Sequence, residues 1–581
     1  MSQGAIVKRI LKKIKPYGLL LFGAVISSVI SISLTLLIPV LIGFALDEIV
    51  GRGAVDFADV AKILSYIAVA IVGVSVCQWT MNYFISVLSF NTVRDLRRDI
   101  FRKLNAVPLS FIDSHPHGDL ISRVINDVDA VGDGLTQLFL QLFSGVVTIV
   151  GTLIFMVGID WKIALAVVVL TPLSLFAAGF IGKLTHKNFT DQQVLQGEIS
   201  SYVEEYVGNM RLVQAFSYEQ SANSAFGEYN SRLKTVGFKA QFSGALANPT
   251  TRFVNAMVYA AVGILGAISV LGGTLSVGQL SCFLTYANQY TKPFNEVTGV
   301  LTQIQTALAS AGRVFELLDA DEESPDNETP CAREHRGEVS FENVSFSYTA
   351  EKPLIQNFSL SVKSGSHVAI VGPTGCGKTT LINLLMRFYD VNSGSIKIDG
   401  VDIRDLSRHK LRSRFGMVLQ DSWLFEGTIM ENLRYGNETA TDDEVMRAAK
   451  AAYAHSFIRR MPQGYSTVIS EGGGNLSQGQ KQLLCIARAM LTNPEILILD
   501  EATSSIDTLT EIRVQKAFAR MMKGKTAFVV AHRLSTIRES DVILVMRDGN
   551  IIEQGSHDAL MKQGGFYAEL NNTAFKLKIE N

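Results

Sequence analysis

Charged side chains are scarce in this sequence. Only 18% of its 581 residues are Asp, Glu, Lys or Arg, whereas 48% are hydrophobic. Soluble domains usually carry about 25% charged residues, so the shortage predicts that much of the chain lies outside water. The formal net charge is −1, and this balance gives no overall positive field to attract nucleic acid.

Cysteine is also rare, and none of it is spaced in pairs. The five cysteines are Cys77, Cys282, Cys331, Cys376 and Cys485. This scatter lacks metal-ligand spacing and predicts reduced thiols that face a cytosol. The basic segment Met1–Lys15 precedes an apolar run that is longer than the core of a signal peptide, so we expect no cleavable signal.

Long apolar runs fill residues 17–300. The stretch Leu19–Leu46 contains no charged residue, which a buried helix of a soluble protein would rarely allow. Six segments reach the length of about 20 apolar residues that a bilayer crossing needs. They are 17–46, 60–88, 135–159, 161–185, 250–272 and 276–298. The sequence therefore predicts an α-helical transmembrane domain over residues 1–318.

Basic residues mark one side of these spans. They precede the first span and follow the second and fourth: Lys8, Arg9, Lys12, Lys13, Lys15, Arg94, Arg97, Arg98, Arg102, Lys103, Lys183 and Lys187. The positive-inside rule then predicts a multi-pass protein of the cytoplasmic membrane with both termini in the cytosol. Two long links, 91–135 and 184–248, have helical patterns and would extend about 30 Å below the membrane. Each breaks near its middle, at 107–113 and 208–216, which predicts a short helix that can dock on another domain.

Span six carries polar residues on one helical face. They are Ser281, Thr285, Asn288, Lys292 and Asn295, with Glu296 beside them. Polar groups at membrane depth normally face a cavity or another helix, so we expect this face to line a substrate cavity. The alternative is that Lys292–Glu296 already lies at the cytosolic interface.

Beyond an acidic linker at 319–336, residues 337–581 have the pattern of a soluble α/β domain. A glycine-rich loop of the form G-x-x-x-x-G-K-T consists of Gly372, Pro373, Thr374, Gly375, Cys376, Gly377, Lys378, Thr379 and Thr380. A predicted strand precedes it and a predicted helix follows, which is the arrangement that binds nucleotide phosphates through backbone N–H groups. Lys378 would reach the β- and γ-phosphates, and the Thr379 hydroxyl would bind Mg²⁺.

Further motifs follow in a fixed order around this loop. Tyr348 is placed to stack on a nucleotide base, and Gln420 can reach Mg²⁺ or the attacking water. A predicted helix over 481–491 follows the residues Leu476, Ser477, Gln478, Gly479 and Gln480, and its N-terminus offers a second anion site. An apolar strand ends in two carboxylates, of which Asp500 suits Mg²⁺ and Glu501 suits a general base. His532 ends another apolar run and is placed to contact the γ-phosphate.

These motifs together resemble those of an ATP-binding cassette exporter half-transporter of the bacterial multidrug and lipid-A type. The resemblance covers essentially the whole chain. It implies a Walker A loop at Gly372–Thr380, an A-loop Tyr348, a Q-loop Gln420, a signature at Leu476–Gln480, a Walker B strand at Ile496–Asp500, a catalytic Glu501, a D-loop at Ser505–Asp507 and a switch His532. It also implies an X-loop Glu471 and coupling helices near Ser110–Asp113 and Met210–Phe216.

The resemblance implies ATP-driven export by alternating access, in which two nucleotide-binding domains enclose two ATP molecules head to tail. The expected substrate is a small hydrophobic or amphipathic drug or lipid. Two alternatives stay open: a peptide exporter, and an ATP-gated channel or regulatory subunit. Gln478 departs from the family, which has glycine at this signature position. We therefore favour a heterodimer with a second half-transporter over a homodimer.

Overall fold

The computed structural model describes residues 2–49, 55–326, 336–349, 352–419, 422–500, 506–530 and 534–579. The chain forms two compact units. The first contains Met1–Ala106 and His115–Ala320, and the second contains Val107–Ser114 and Asp321–Asn581. The short segment within the second unit therefore comes from the middle of the first long link.

The first unit is helical throughout its described part. In chain order the helices up to residue 318 are α1 Gln3–Ile14, α2 Gly18–Asp47, α3 Phe57–Leu104, α4 Leu109–Asp113, α5 His117–Ser122, α6 Val128–Gln137, α7 Ser144–Ile159, α8 Trp161–Leu170, α9 Pro172–Gly208, α10 Met210–Ala215, α11 Glu219–Ala245, α12 Ala247–Leu271 and α13 Val277–Leu318. Two π-helical turns, Arg123–Asp127 and Leu138–Phe143, join α5 to α6 and α6 to α7. Helix α4 belongs to the second unit.

Several helices begin at a polar residue that accepts their free N–H groups. Asp56 accepts hydrogen bonds from the first turn of α3, and Asp160 does so for α8. Ser276 forms a capping box with Gln279 at the start of α13. Such caps stabilise a helix start by about 1 kcal/mol. They fix where α3, α8 and α13 begin.

Within the described residues, four helical stretches are long and apolar enough to cross a membrane. They are Gln3–Asp47, Phe57–Leu104, His117–Ile159 and Arg252–Leu271, and the shorter α8 is also apolar. The prediction of helical spans agrees with these stretches, and the count of six stays a prediction. The fourth predicted span, 161–185, is divided near Thr171, where Pro172 begins α9. Proline lacks the N–H that a continuous helix would use there.

Helices α2 and α13 cross in close contact near Gly43 and Gly278. A Cβ atom built on Gly278 would lie 2.0 Å from the carbonyl oxygen of Gly43. Asp47 accepts hydrogen bonds from the Gly278 N–H at 2.7 Å and from the Ser276 hydroxyl at 2.6 Å. Two turns further along α13, the Tyr286 hydroxyl donates to the backbone of α2. Because neither glycine has a side chain, the two backbones can meet here. The polar contacts then fix the register of α2 against α13.

The second unit combines three sheets with short helices. Its strands are β1 Val339–Phe346, β2 Ile355–Val362, β3 His367–Val371, β4 Ser393–Ile398, β5 Val401–Asp402, β6 Phe415–Val418, β7 Gly427–Thr428, β8 Val468–Ile469, β9 Ile496–Asp500, β10 Thr526–Val530, β11 Val542–Arg547 and β12 Asn550–Gly555. Its helices after residue 377 are α14 Lys378–Leu385, α15 Arg408–Arg412, α16 Ile429–Arg434, α17 Asp442–Ala451, α18 His455–Ile458, α19 Gln478–Leu491, α20 Thr508–Met522, α21 Leu534–Arg538, α22 His557–Gln563 and α23 Phe566–Ile579.

The largest sheet has the strand order β12-β11-β3-β10-β9-β6. Its strands run parallel except β12, which pairs antiparallel with β11. The central strands β3, β9 and β10 are apolar and almost completely buried, as strands with both faces covered must be. A second sheet, β2-β1-β4-β5, is antiparallel. These sheets agree with the predicted α/β class.

Replacing Gly278 by alanine tests the close crossing of α2 and α13. The added methyl group would collide with the backbone at Gly43, so we expect Gly278→Ala to lower the free energy of unfolding by about 1–3 kcal/mol. Gly227→Ala, in a helix position with no atom within 4 Å, is the matched control and should be neutral or slightly stabilising. Thermal unfolding in nanodiscs measures both, and equal melting temperatures for the two variants would contradict the crossing.

Candidate nucleotide-binding site

The carboxyl ends of four parallel strands bring the predicted nucleotide residues to one edge of the sheet. Asp500 at the end of β9 lies opposite Val530 of β10, which in turn lies opposite Ile370 of β3. Neighbouring strands are about 4.8 Å apart, so Asp500 lies about 10 Å from the strand that leads into Gly372. Ligands bind at this edge of open parallel sheets.

The glycine-rich loop between β3 and α14 has a shape that only glycines allow. Gly375 and Gly377 adopt φ angles of 83° and 98°, which side chains other than glycine rarely accept. A Cβ atom on Gly372 would lie 2.3 Å from the carbonyl oxygen of Met546 and 2.7 Å from the Cys376 sulfur. The loop then turns directly into the N-terminus of α14, so its shape fits a bound phosphate group.

Lys378 and Thr379 occupy the first turn of α14. The Lys378 ammonium donates hydrogen bonds to the carbonyl oxygens of Gly372 at 2.8 Å and Pro373 at 2.9 Å. It therefore lies folded over the loop and is held there by backbone carbonyls. Thr379 is exposed, whereas Thr380 and Cys376 are buried. The Thr379 hydroxyl is therefore accessible to a metal ion, whereas Thr380 and Cys376 pack in the interior.

Tyr348 presents an aromatic ring beside this loop. It lies just beyond the end of β1 rather than within the strand, and 50% of it is exposed. Its hydroxyl donates to the Thr380 Oγ1 at 3.1 Å. The ring packs edge-to-face against Phe346 and Tyr389, each with centroids 5.0 Å apart. The half-exposed ring is thus fixed in place by its neighbours, as a stacking platform for a base requires.

Tyr389 is a residue of this region that the sequence analysis missed. Its hydroxyl donates to the Asp113 carboxylate at 2.5 Å. Burial and this carboxylate raise the pKa of Tyr389 above its ordinary value, so the phenol keeps its proton. Asp113 is the last residue of α4. The aromatic cluster beside the glycine-rich loop therefore also holds the tip of the first long link. The sequence contains no local signal for this pair, because the two residues lie far apart in the chain.

The signature segment begins α19 earlier than the sequence predicted. The helix starts at Gln478 instead of residue 481 because Ser477 caps it. The Ser477 N–H donates to the Gln480 side chain at 3.0 Å, and the Ser477 hydroxyl accepts from the Gln480 N–H. A Cβ on Gly479 would lie 2.3 Å from the Thr510 methyl group. The signature serine thus points its oxygen at its own helix start.

Gln478 lies exposed in the first turn of α19. None of the described hydrogen bonds joins the signature residues 477–480 to the loop 372–380. Among the described residues, Tyr348 contacts the loop at Thr380 and Asp500 lies at the same end of the sheet as β3, whereas the signature has no described hydrogen bond to the loop.

Asp507 caps helix α20. It accepts a hydrogen bond from the Thr510 N–H at 3.0 Å, and its contacts with Thr510 hold the pKa of its carboxyl below the ordinary value. The predicted catalytic residues Gln420, Glu501 and His532 lie outside the described residues, and so does the D-loop Ser505. The strands β6, β9 and β10, which lead into the first three, end side by side at the sheet edge of Asp500.

Comparison with known proteins identifies both parts of the chain. Residues 21–294 match the family profile "ABC transporter transmembrane region", and residues 355–504 match "ABC transporter". A Bacillus subtilis protein described as an uncharacterized ABC transporter ATP-binding protein, YfiC, is 41% identical over 96% of this chain and 92% of its own length. The chain belongs to the ABC transporter family.

Other relatives of this ABC transporter carry more specific names. A Mycobacterium bovis "fatty acid ABC transporter ATP-binding/permease protein" is 41% identical over 90% of this chain and 82% of its own length. An "ATP-dependent lipid A-core flippase" from Syntrophus aciditrophicus is 36% identical over 98% of this chain and 95% of its own length. The solved structure of a bacterial Atm1-family ABC exporter with ATP bound has a TM-score of 0.77 and 29% identity, and the match covers 96% of this chain and 98% of that one.

These comparisons confirm three predictions. The ABC transporter is a bacterial exporter with a helical transmembrane domain followed by a nucleotide-binding domain with sheets. It is an ATPase and binds ATP through the second domain. It works in a membrane as part of a dimer.

Substitutions at Tyr348 test its place in the nucleotide site of this ABC transporter. We expect Tyr348→Leu to weaken ATP binding about tenfold, since a base–aromatic stack contributes about 1–3 kcal/mol. Tyr348→Phe keeps the ring and loses only the hydroxyl contact with Thr380, so it should bind ATP nearly as the wild type does. Equilibrium binding of radiolabelled ATP measures both variants. Equal weakening by leucine and phenylalanine would show that the ring does not stack on the base.

Proposed function

We propose that this ABC transporter uses ATP hydrolysis to export a hydrophobic or amphipathic drug or lipid across the cytoplasmic membrane by alternating access. The observation that supports coupling most directly is the contact between Asp113 and Tyr389. Helices α3 and α5 belong to the transmembrane unit, but α4 between them packs within the nucleotide-binding unit. A change at the aromatic residues Tyr348 and Tyr389 can thus be transmitted through α4 to α3 and to the helical stretch His117–Ile159 that α5 begins.

Each predicted site residue has a role in this proposal. The loop 372–380 holds the phosphates through its backbone N–H groups, and Lys378 exchanges its carbonyl partners for phosphate oxygens. Thr379, Gln420 and Asp500 would hold Mg²⁺, which supplies charge neutralisation between the phosphates when bound. Glu501 accepts a proton from the attacking water, and His532 orients the γ-phosphate. Most of the rate enhancement then comes from prearranged charges and dipoles.

The donor set fits a hard cation. Threonine hydroxyl, glutamine carbonyl and carboxylate oxygens are the ligands that Mg²⁺ accepts, together with waters and substrate phosphates. Thr379 is exposed on the first turn of α14, and Asp500 follows four buried apolar residues of β9. The sheet register aligns Asp500 with Ile370, near the end of the strand that leads into the glycine-rich loop and α14, which supports this assignment. The proposed site residues Tyr348, Ser477, Gly479, Gln480 and Asp507 complete the two half-sites of the dimer.

The names of the relatives favour a lipid substrate. One relative is named a fatty acid transporter and another a lipid A-core flippase. The polar face of α13 supports the same class, since Thr285, Asn288 and Lys292 line a cavity of about 430 Å³ between α12 and α13. A mixed polar and apolar cavity suits an amphipathic molecule. A peptide cargo is the alternative that this surface would also accept.

Gln478 favours a different half-transporter as the partner, and helix α10 supports a partner chain of either kind. Gln478 places a long side chain where close approach of a signature backbone to a γ-phosphate needs glycine. Helix α10, the tip of the second long link, lies in the transmembrane unit and exposes Leu212 and, just beyond its end, Phe216. These apolar side chains need a cover, and the nucleotide-binding domain of a partner chain would supply it. A homodimer would use Gln478 at both sites.

An ATP-gated channel is the competing function of another class. Reconstitution into proteoliposomes separates the two, because export accumulates a labelled lipid in the outer leaflet against its gradient, whereas a channel conducts ions. We expect ATP-dependent transport without conductance. ATP-dependent current without lipid movement would overturn the proposal.

Glu501→Gln tests the proposed general base. The substitution keeps the shape of the side chain but removes the proton acceptor, so we expect ATP turnover to fall by about 10²-fold or more while ATP binding persists. The matched control is Glu438→Gln, at an exposed loop position, which should retain turnover. Phosphate release and radiolabelled ATP binding measure the two effects. Turnover near the wild-type rate in Glu501→Gln would exclude this residue as the base.

Purification of the chain expressed alone tests the heterodimer. We expect weak ATPase activity from the isolated chain. The activity should rise at least about tenfold in Gln478→Gly, because the signature backbone can approach the γ-phosphate once the glutamine side chain is removed. Gln463→Gly, at an exposed glutamine of the same unit, is the matched control and should change nothing. A stable wild-type homodimer with two equivalent, substrate-stimulated ATP sites would contradict the heterodimer.

A further inference from the structure

Among the described residues of the first unit, two cavities flank the part of helix α13 around Gln289 and Lys292, apart from a third near its start at Gly278. One, of about 430 Å³, lies between α12 and α13. The other, of about 400 Å³, lies between α13, α2, α3 and the α7 region. They share Gln289 and Lys292, and Lys292 is the only charged residue among the described residues that line either cavity. No described hydrogen bond or ion pair satisfies its ammonium group.

Amide and hydroxyl side chains line the same cavities as this lysine. Ser28, Gln78, Gln141 and Thr148 line the second cavity together with Gln289 and Lys292. The Gln289 carbonyl oxygen is buried and has no hydrogen-bond partner, and the same holds for that of Asn255 in the first cavity. A buried polar atom without a partner costs about 1–3 kcal/mol. Because a side-chain amide can turn to present either its oxygen or its N–H groups, these residues favour a ligand that forms a hydrogen bond with either edge.

The lining of the second cavity also contains the apolar side chains Ile32, Leu36, Met81 and Leu140. They lie on the same segments of the chain as the polar lining residues. The cavity therefore presents one positive charge, amide and hydroxyl groups, and aliphatic groups to a single occupant. An amphipathic molecule fits such a surface when its head group contacts the lysine and its chain contacts the aliphatic groups.

The position of Lys292 along α13 places the polar side towards the cytosol. Lys292 lies about 16 residues beyond the cap at Ser276, which is about 24 Å along an α-helix. The hydrocarbon core of a bilayer is about 30 Å thick, so with α13 starting on the outer side the lysine would lie at the depth of the inner leaflet. A charged side chain at that depth is energetically unfavourable, and such residues usually belong to a functional site.

We propose that the exported molecule is an amphipath with an acidic head group, a carboxylate or a phosphate, taken from the inner leaflet. The Lys292 ammonium pairs with the acid oxygens. Gln289 and Gln141 turn their amide N–H groups to the same oxygens, since an amide can present either edge. Glu296 follows one turn later on α13, and its side chain lies outside the described residues. This inference rests on the proposed export function and narrows its substrate class.

Direct binding to the purified full transporter tests the head group. The probes share one dodecyl chain and differ in the head: laurate, dodecyl phosphate, dodecyl maltoside and dodecyltrimethylammonium. Radiolabelled probes are titrated, without ATP, onto transporter in nanodiscs of phosphatidylcholine. We expect the two acidic probes to bind at least about tenfold more tightly than the neutral and cationic ones, because a hydrogen bond to a charged group contributes about 1.5–3 kcal/mol. The ratio of laurate to dodecyl phosphate affinity then tells which acid the site prefers.

Variants assign the preference to Lys292. Lys292→Gln should remove the advantage of both acidic probes, whereas Lys292→Arg should keep it. Lys162→Gln, at an exposed lysine near the start of α8, is the matched control and should bind as the wild type. Equal affinity for all four heads, or an acidic preference that survives Lys292→Gln, would overturn the inference. A wild-type transporter without ATPase activity would instead overturn the proposed function, because the binding titration does not depend on hydrolysis.

Discussion

The second unit depends on one constraint, the alignment of parallel strands β6, β9, β10 and β3. Their buried side chains hold the strands in register, so the polar residues that follow each strand end at one edge. The register of β9, β10 and β3 brings Asp500 to within about 10 Å of the strand before the glycine-rich loop. The loop itself needs glycine because a side chain at Gly372 would meet the backbone of β11. The nucleotide site is therefore a consequence of core packing.

The second unit also contains the tip of the first long link, residues Val107–Ser114. The tip α4 is fixed by Asp113 to Tyr389, and Tyr389 packs against Tyr348. A base that stacks on Tyr348 would thus touch a cluster that already contacts the first link. Burial and the Asp113 carboxylate both raise the pKa of Tyr389. The proposed coupling therefore runs through two direct contacts, from Tyr348 to Tyr389 and from Tyr389 to Asp113.

Helix α13 combines a close backbone contact with open cavities. Near its start, glycines let α13 meet α2 at backbone distance, and Asp47 accepts hydrogen bonds from Ser276 and Gly278. A cavity of about 380 Å³ borders this crossing as well. Further along, two cavities lie on either side of Gln289 and Lys292. In the proposed site at this position, the charge of Lys292 selects the head group.

The family, the two-part organisation and the glycine-rich loop follow from the sequence alone, because apolar runs and contiguous motifs depend on neighbours in the chain. The sequence also predicted the breaks that became α4 and α10, since proline, glycine and asparagine interrupt the helical pattern there. It predicted the start of α19 three residues too late. Residues 476–480 were assigned to the signature motif as a whole, whereas Ser477 caps the helix and lets it begin at Gln478.

The contacts between residues that are distant in the chain became visible only in the folded protein. Tyr389 and Asp113, Gly43 and Gly278, and the two cavities that share Lys292 all join segments far apart in sequence. No local pattern predicts such pairs, because they depend on the way whole helices and strands pack.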